Sequence, residues 1–168
     1  MSLLRIVHHS YHPRSGVLVA DSDGTWKLIP PVPGAETEPG LVLYRFGAAL
    51  FYANASRFAD EIMALVGPSP TSVRWLIVDA EAITDIDYSA ARVIEELKKY
   101  LAKAGVEFGV ARLQGNSRAD FERHHLNEVV GPSWIFNRLH DALNAYTPPR
   151  GDHRSPPIDP NKTITHIR

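Results

Sequence analysis

Val73-Arg74-Trp75-Leu76-Ile77-Val78-Asp79-Ala80-Glu81-Ala82-Ile83-Thr84-Asp85-Ile86-Asp87-Tyr88-Ser89-Ala90 is the stretch on which the fold turns. It opens on a nearly continuous apolar run, as expected of a strand covered on both faces. It closes on the first turn of an amphipathic helix. Ala90, Ile94, Leu97, Leu101 and Ala104 recur at steps of four and three and make one stripe. Arg92, Glu95, Glu96, Lys98, Lys99 and Lys103 fall off it, and Glu95 to Lys99 is a favourable i,i+4 pair. Asp87 or Ser89 stands where the N-cap belongs, and Gly105 stands at the C′ position. A buried strand, an acidic turn and a two-faced helix follow one another without interruption.

The same alternation extends in both directions. Upstream, Leu41–Phe46 reads as a strand, followed by the apolar Leu50-Phe51-Tyr52. Asn54 then caps a helix carrying Ala55, Phe58, Ile62 and Leu65 and ending near Gly67-Pro68. Downstream, Val106–Arg112 is a strand, and Asn116 or Ser117 opens a helix through about Leu126. Trp134–Phe136 is a short strand, and Asn137 caps a last helix with Leu139, Ala142 and Leu143. Alternating strands and helices predict an α/β domain with a mixed or mostly parallel sheet. Val17–Val19 and Trp26–Ile29 add edge strands, and the Pro/Gly-rich stretch Pro30–Gly40 is a loop. From residue 147 to 168 prolines crowd the chain, which reads as a disordered tail.

Composition narrows the function. The 168 residues include no cysteine, which excludes disulfides, thiol catalysis and cysteine-ligated zinc. Lysine and arginine number 18 against 19 acids, a net charge of −1, so no general nucleic-acid binder is indicated. No apolar run is long enough for a membrane span, and Met1–His12 has no secretory-signal pattern, so the sequence reads as a soluble piece.

Three constellations offer chemistry. Asp79, Glu81, Asp85 and Asp87 follow the central strand, where open α/β sheets bind ligands, and such acids can hold magnesium or act as acid and base. Each also has a structural role open to it: ending a strand, shaping a turn, capping a helix. Arg112, Gly115, Asn116, Ser117 and Arg118 surround a helix start, which suits a nucleotide or anion or else ordinary capping. His8, His9 and His12, with His124 and His125, lack metal-site spacing and read as exposed histidines; no metal or other cofactor is expected. No phosphate-binding glycine motif and no nucleophile elbow occurs, so the chain does not read as an enzyme.

Ala82-Ile83-Thr84-Asp85-Ile86-Asp87-Tyr88-Ser89-Ala90 resembles the signature loop of STAS domains, the family named for sulfate transporters and anti-sigma-factor antagonists. Residues 39–46, 50–55 and 73–83 resemble its sulfate-permease branch. The resemblance implies four or five strands with four or five helices over residues 15–146, and a linker over residues 1–14 leaving a membrane part. It further implies a cytoplasmic regulatory domain of an anion transporter, partnered by the transmembrane transport domain of the same polypeptide. A homodimer and a nucleotide or anion ligand are further implied possibilities. The alternative it carries is an anti-sigma factor antagonist-like phospho-switch. Asp85, Asp87, Tyr88 and Ser89 would form the regulatory loop. Tyr88 replaces the serine that partner kinases phosphorylate in the antagonists, Ser89 matches the Ser/Thr that follows, and Ala90 replaces the usual glycine.

Overall fold

Among the described residues six strands form one mixed sheet in the order β2-β1-β3-β4-β5-β6. In the computed structural model, residues 14–148 other than Ser69 are described. The expected linker up to residue 13, with His8, His9 and His12, and the expected tail beyond residue 148 lie outside the described residues.

The central strands β3 (Leu41–Phe46), β4 (Trp75–Asp79) and β5 (Glu107–Ala111) are all parallel, with the two-residue β6 (Ile135–Phe136) parallel beside β5. β1 (Ser15–Ala20) runs antiparallel to β3, and β2 (Trp26–Ile29) antiparallel to β1. The β1–β3 register ends at Val17–Tyr44. Beyond it the Thr37 hydroxyl fills the widening gap, donating to the Leu18 carbonyl at 2.7 Å and accepting the Leu43 N–H at 2.9 Å.

Among the described residues five helices accompany the sheet: α1 (Tyr52–Val66), α2 (Tyr88–Lys103), α3 (Gly115–Arg123), α4 (Leu126–Val130) and α5 (Leu139–Ala145). Parallel strands require crossovers, and helices provide them. Val42, Tyr44, Leu76, Val78, Phe108 and Val110 alternate onto one face of the sheet. There they pack against Phe58 and Ile62 of α1, Ile94 and Leu97 of α2, Phe121 of α3 and Leu126 of α4. Leu41, Leu43, Ile77 and Ala111 alternate onto the other, covered by Leu139 and Ala142 of α5 and by Tyr146.

The expected α/β class and mainly parallel sheet are present, with six strands because both hairpin strands and the short β6 pair; of the two strands expected at the edge, β2 lies there and β1 lies inside it. Local differences have local causes. The helix expected to run to Leu126 breaks into α3 and α4 at His125, whose φ of 57° is left-handed. Its N-cap is Gln114, not Asn116 or Ser117, and the Ser117 hydroxyl instead bonds back to the Gln114 carbonyl at 2.8 Å. The α5 N-cap is Arg138, one residue after the expected Asn137. Trp134 belongs to a 3-10 turn before β6. Asn54 is the third residue of α1, and its carboxamide oxygen still accepts the Phe51 N–H at 3.0 Å.

Candidate functional site

The acidic segment after β4 lies at the carboxyl ends of the parallel strands, and the fold divides its acids between two settings. Asp79 is the last residue of β4 and is fully buried. It lies opposite Arg45 of β3 in register, on the face away from α1 and α2. Arg45 Nε donates to Asp79 Oδ2 at 2.6 Å. Arg112 Nε donates to Oδ1 at 2.9 Å and an Arg112 terminal nitrogen to Oδ2 at 2.6 Å, a two-pronged grip. Glu81 closes the group, accepting from Arg45 at 3.2 Å and from Arg112 at 2.8 Å. Two carboxylates and two guanidiniums thus form a neutral ring. Donating hydrogen bonds to Asp79 raises the Arg112 pKa above its ordinary value, against the effect of burial. Arg112 holds this position with a left-handed φ of 63°, unusual for a residue with a Cβ, while its own N–H donates to the Phe136 carbonyl at 3.0 Å.

Asp87 meets no cation among the described residues. One carboxylate oxygen accepts the Ala90 N–H at 2.8 Å and caps α2, while the other accepts the Tyr52 N–H at 3.0 Å at the start of α1. One side chain therefore answers the exposed N–H groups and positive dipole ends of two helices. The backbone stitches the same places together. Leu50 N–H donates to the Asp85 carbonyl at 2.8 Å, and Asp87 N–H donates to the Leu50 carbonyl at 3.0 Å. From the other side α3 clamps Ile86: Asp120 Oδ2 accepts its N–H at 2.9 Å, and His124 Nε2 lies 3.1 Å from its carbonyl. Contact with a carbonyl acceptor requires the hydrogen on Nε2. Ile83 and Ile86 point into the core, leaving a void of only about 10 Å3 beneath the loop.

Of the loop residues singled out in the sequence, Asp85, Tyr88 and Ser89 are exposed and Asp87 is half-buried. The Asp85 carboxylate accepts from Asn116 Nδ2 at 3.4 Å. Ala90 is helical and buried, a setting that accepts its Cβ. The residues expected around the start of α3 do not converge. Arg112 faces Asp79 and Glu81, Ser117 is fully buried, and Arg118 contacts the Leu113 carbonyl and Asn137. Gly115 and Asn116 are exposed. His125 is exposed and turned to Glu128. No cluster of three or more metal-ligating side chains occurs among the described residues. Sequence reasoning missed Arg45, Asp120, His124 and Tyr52 as members of this site. They reach the loop from segments 34 to 38 positions away, or from 35 in the case of Tyr52.

Comparison with known proteins fits this architecture. The family described as the STAS domain matches residues 33–142. The "Probable sulfate transporter" of Mycobacterium tuberculosis is 30% identical over 147 residues, covering 87% of this chain and 26% of that protein. The "Probable sulfate transporter 4.2" of Arabidopsis thaliana is 25% identical over 152 residues, covering 84% and 22%. The chain thus spans about a quarter of the length of the curated relatives it matches. Among solved structures, the murine solute carrier 26 family member A9 anion transporter superposes with a TM-score of 0.70 at 20% identity, covering 85% of this chain and 24% of that one. The STAS domain of a SulP transporter from Vibrio cholerae superposes with a TM-score of 0.52 at 17% identity, covering 61% and 77%. At those identities the likeness is one of fold.

Proposed function

From the premise that this chain belongs to the STAS domain family, we propose that it is the regulatory and interaction domain of a sulfate or other inorganic-anion transporter. Translocation would reside in a membrane-embedded part of the same polypeptide, with this domain on the cytoplasmic face of the membrane. Residues 15–146 form the whole domain in this reading, since β1 and Tyr146 pack into the same two cores as the matched region. The observation that carries a docking role, and not catalysis, is the engagement of the loop acids. Asp79 and Glu81 are held by arginines and Asp87 by two helix N-termini, so three of the four acids of the segment brace the surface. No described helix is long and apolar enough to cross a membrane.

The test is the genomic reading frame upstream of Met1. The reading expects it to continue through several apolar segments of membrane-spanning length. A stop codon directly upstream, with no membrane-protein gene alongside, overturns it.

Exposed Ser89, the second residue of α2, favours one other reading, a phospho-switch resembling the anti-sigma factor antagonists. A phosphate there would lie at the positive end of the helix. Incubation with a cognate kinase and mass spectrometry decides it: no phosphate on Tyr88 or Ser89 removes it.

A further inference from the structure

The loop leaves two large side chains in solvent. Tyr52 is 74% exposed and Tyr88 is 68% exposed, the two highest values among the large hydrophobic side chains described. We propose that these two tyrosines anchor the docking surface, and that its occupant is the set of basic loops flanking the membrane helices of the transport unit. The inference rests on the regulatory-domain reading above and adds to it a surface, a partner chemistry and a direction of approach.

Rigidity is the first argument. A tyrosine offers broad amphipathic contact with few torsions to immobilise, which suits it to anchor an interface. Both of these sit on fixed backbone: the Tyr52 N–H is bonded to Asp87, and Tyr88 is the next residue after Asp87. The Tyr52 ring meets Phe51 edge-on at 6.3 Å, and the Tyr88 ring meets His124 edge-on at 6.1 Å. The pair is braced before any partner arrives, which lowers the ordering cost of binding.

The second argument is where the chain enters. β1 is antiparallel to β3, with Ser15 opposite Phe46, so the described chain begins at the carboxyl ends of the parallel strands. There the Arg14 backbone carbonyl lies so close to Gly47 that a Cβ would come within 2.5 Å of it. Gly47 leads to Leu50, which bridges to Ile86, and then to Tyr52. Arg14 therefore stands at the end of the sheet that carries the tyrosines. The chain departs at the other end: Tyr146 bonds to Pro39 beside the start of β3.

Charge is the third. The two helix dipoles at this rim are already answered by Asp87. Arg45, Arg92, Arg112 and Arg123 are each paired with a carboxylate. Arg118 is turned to the Leu113 carbonyl and Asn137. Asp85 is exposed and in no ion pair among the described residues, so the loop carries an unanswered negative charge three residues before Tyr88. Loops on the cytoplasmic side of membrane helices carry an excess of lysine and arginine, the complementary sign. An anionic lipid surface has the sign that Asp85 repels.

The experiment places photo-reactive p-benzoylphenylalanine at Tyr52, at Tyr88 or at Tyr100, in the complete polypeptide as its host encodes it. Tyr100 is the control: it is 41% exposed and about 18 Å along α2 from Tyr88. The expected result is crosslinking from positions 52 and 88 to Lys/Arg-rich loops of the membrane unit, with little from position 100. Asp85→Lys should lower the yield from position 88 several-fold. Crosslinks to the membrane unit from position 100 but not from 52 or 88 overturn this surface and leave the transporter reading intact. Crosslinks from 52 and 88 to lipid or to a second copy of the chain overturn the proposed occupant. No crosslink to a membrane protein from any position overturns the transporter reading itself. An unchanged yield with Asp85→Lys overturns the charge argument.

Discussion

Asp79 and Asp87 lie eight residues apart in one acidic run, and the fold treats them in opposite ways. Asp79 is wholly buried and is neutralised by two guanidiniums. Asp87 is half-buried and is met by two neutral N–H groups at helix starts. One site works by full charge, the other by hydrogen bonds and dipoles. The difference teaches that a cluster of carboxylates in a sequence need not be a cluster in space, nor share a purpose. It also separates the two variants that a simple acid-to-amide change would otherwise confuse.

The largest effect should come from Asp79. Truncating one member of a buried ionic group leaves the others uncompensated, so Asp79→Ala should lower unfolding free energy by about 3 kcal/mol in urea denaturation. Asp79→Asn should cost nearly as much, because an amide cannot balance Arg45 and Arg112. An amide that restores stability there would break the comparison. At Asp87 the order should differ. Asp87→Ala removes two helix-start bonds and should cost about 2 kcal/mol, whereas Asp87→Asn keeps one acceptor and should cost about 1 kcal/mol. Equal losses from the two Asp87 variants would mean that charge matters there as well.

A third site, at the far end of the sheet, sharpens the contrast because its lock is neutral. The Tyr146 phenol donates to the Pro39 carbonyl at 2.6 Å, and burial raises its pKa, as burial also raises that of Tyr44. A phenol with a raised folded-state pKa contributes fully below the unfolded value of about 10 and loses that contribution as pH climbs past it. Stability should therefore fall in alkali above about pH 10. Tyr146→Phe should lower neutral-pH stability by about 1 kcal/mol and make the alkaline fall shallower, as thermal unfolding against pH would show. The smallest expected effect is spectroscopic. In a sulfate titration followed by NMR, the Arg112 side-chain Nε–H should stay still while any movement is confined to the amides of Asn116 and Arg118, since carboxylates already hold Arg112.

What the sequence disclosed follows from the range of each interaction. β4 and α2 were legible because the period of apolar residues and the local cap at Asp87 are encoded within a few positions. The helix break at His125 was not, since no glycine or proline announces a left-handed residue there. The ring around Asp79 joins residues more than thirty positions apart, and nothing in the spacing of Arg45 or Arg112 marks them as its partners. Arg112 instead sits next to a helix start, which suggests an anion site to any local reading. The second bond of Asp87, to Tyr52, was hidden for the same reason.

Tyr146 has one more consequence, for anyone who trims the gene. The STAS match ends at residue 142, yet the Tyr146 ring packs 5.2 Å from that of Trp75, and its hydroxyl occupies the space a Cβ on Gly40 would need, 2.4 Å away. A fragment cut at the end of the match would lose this terminal bolt and open the seam between the last helix and the loop leading into β3.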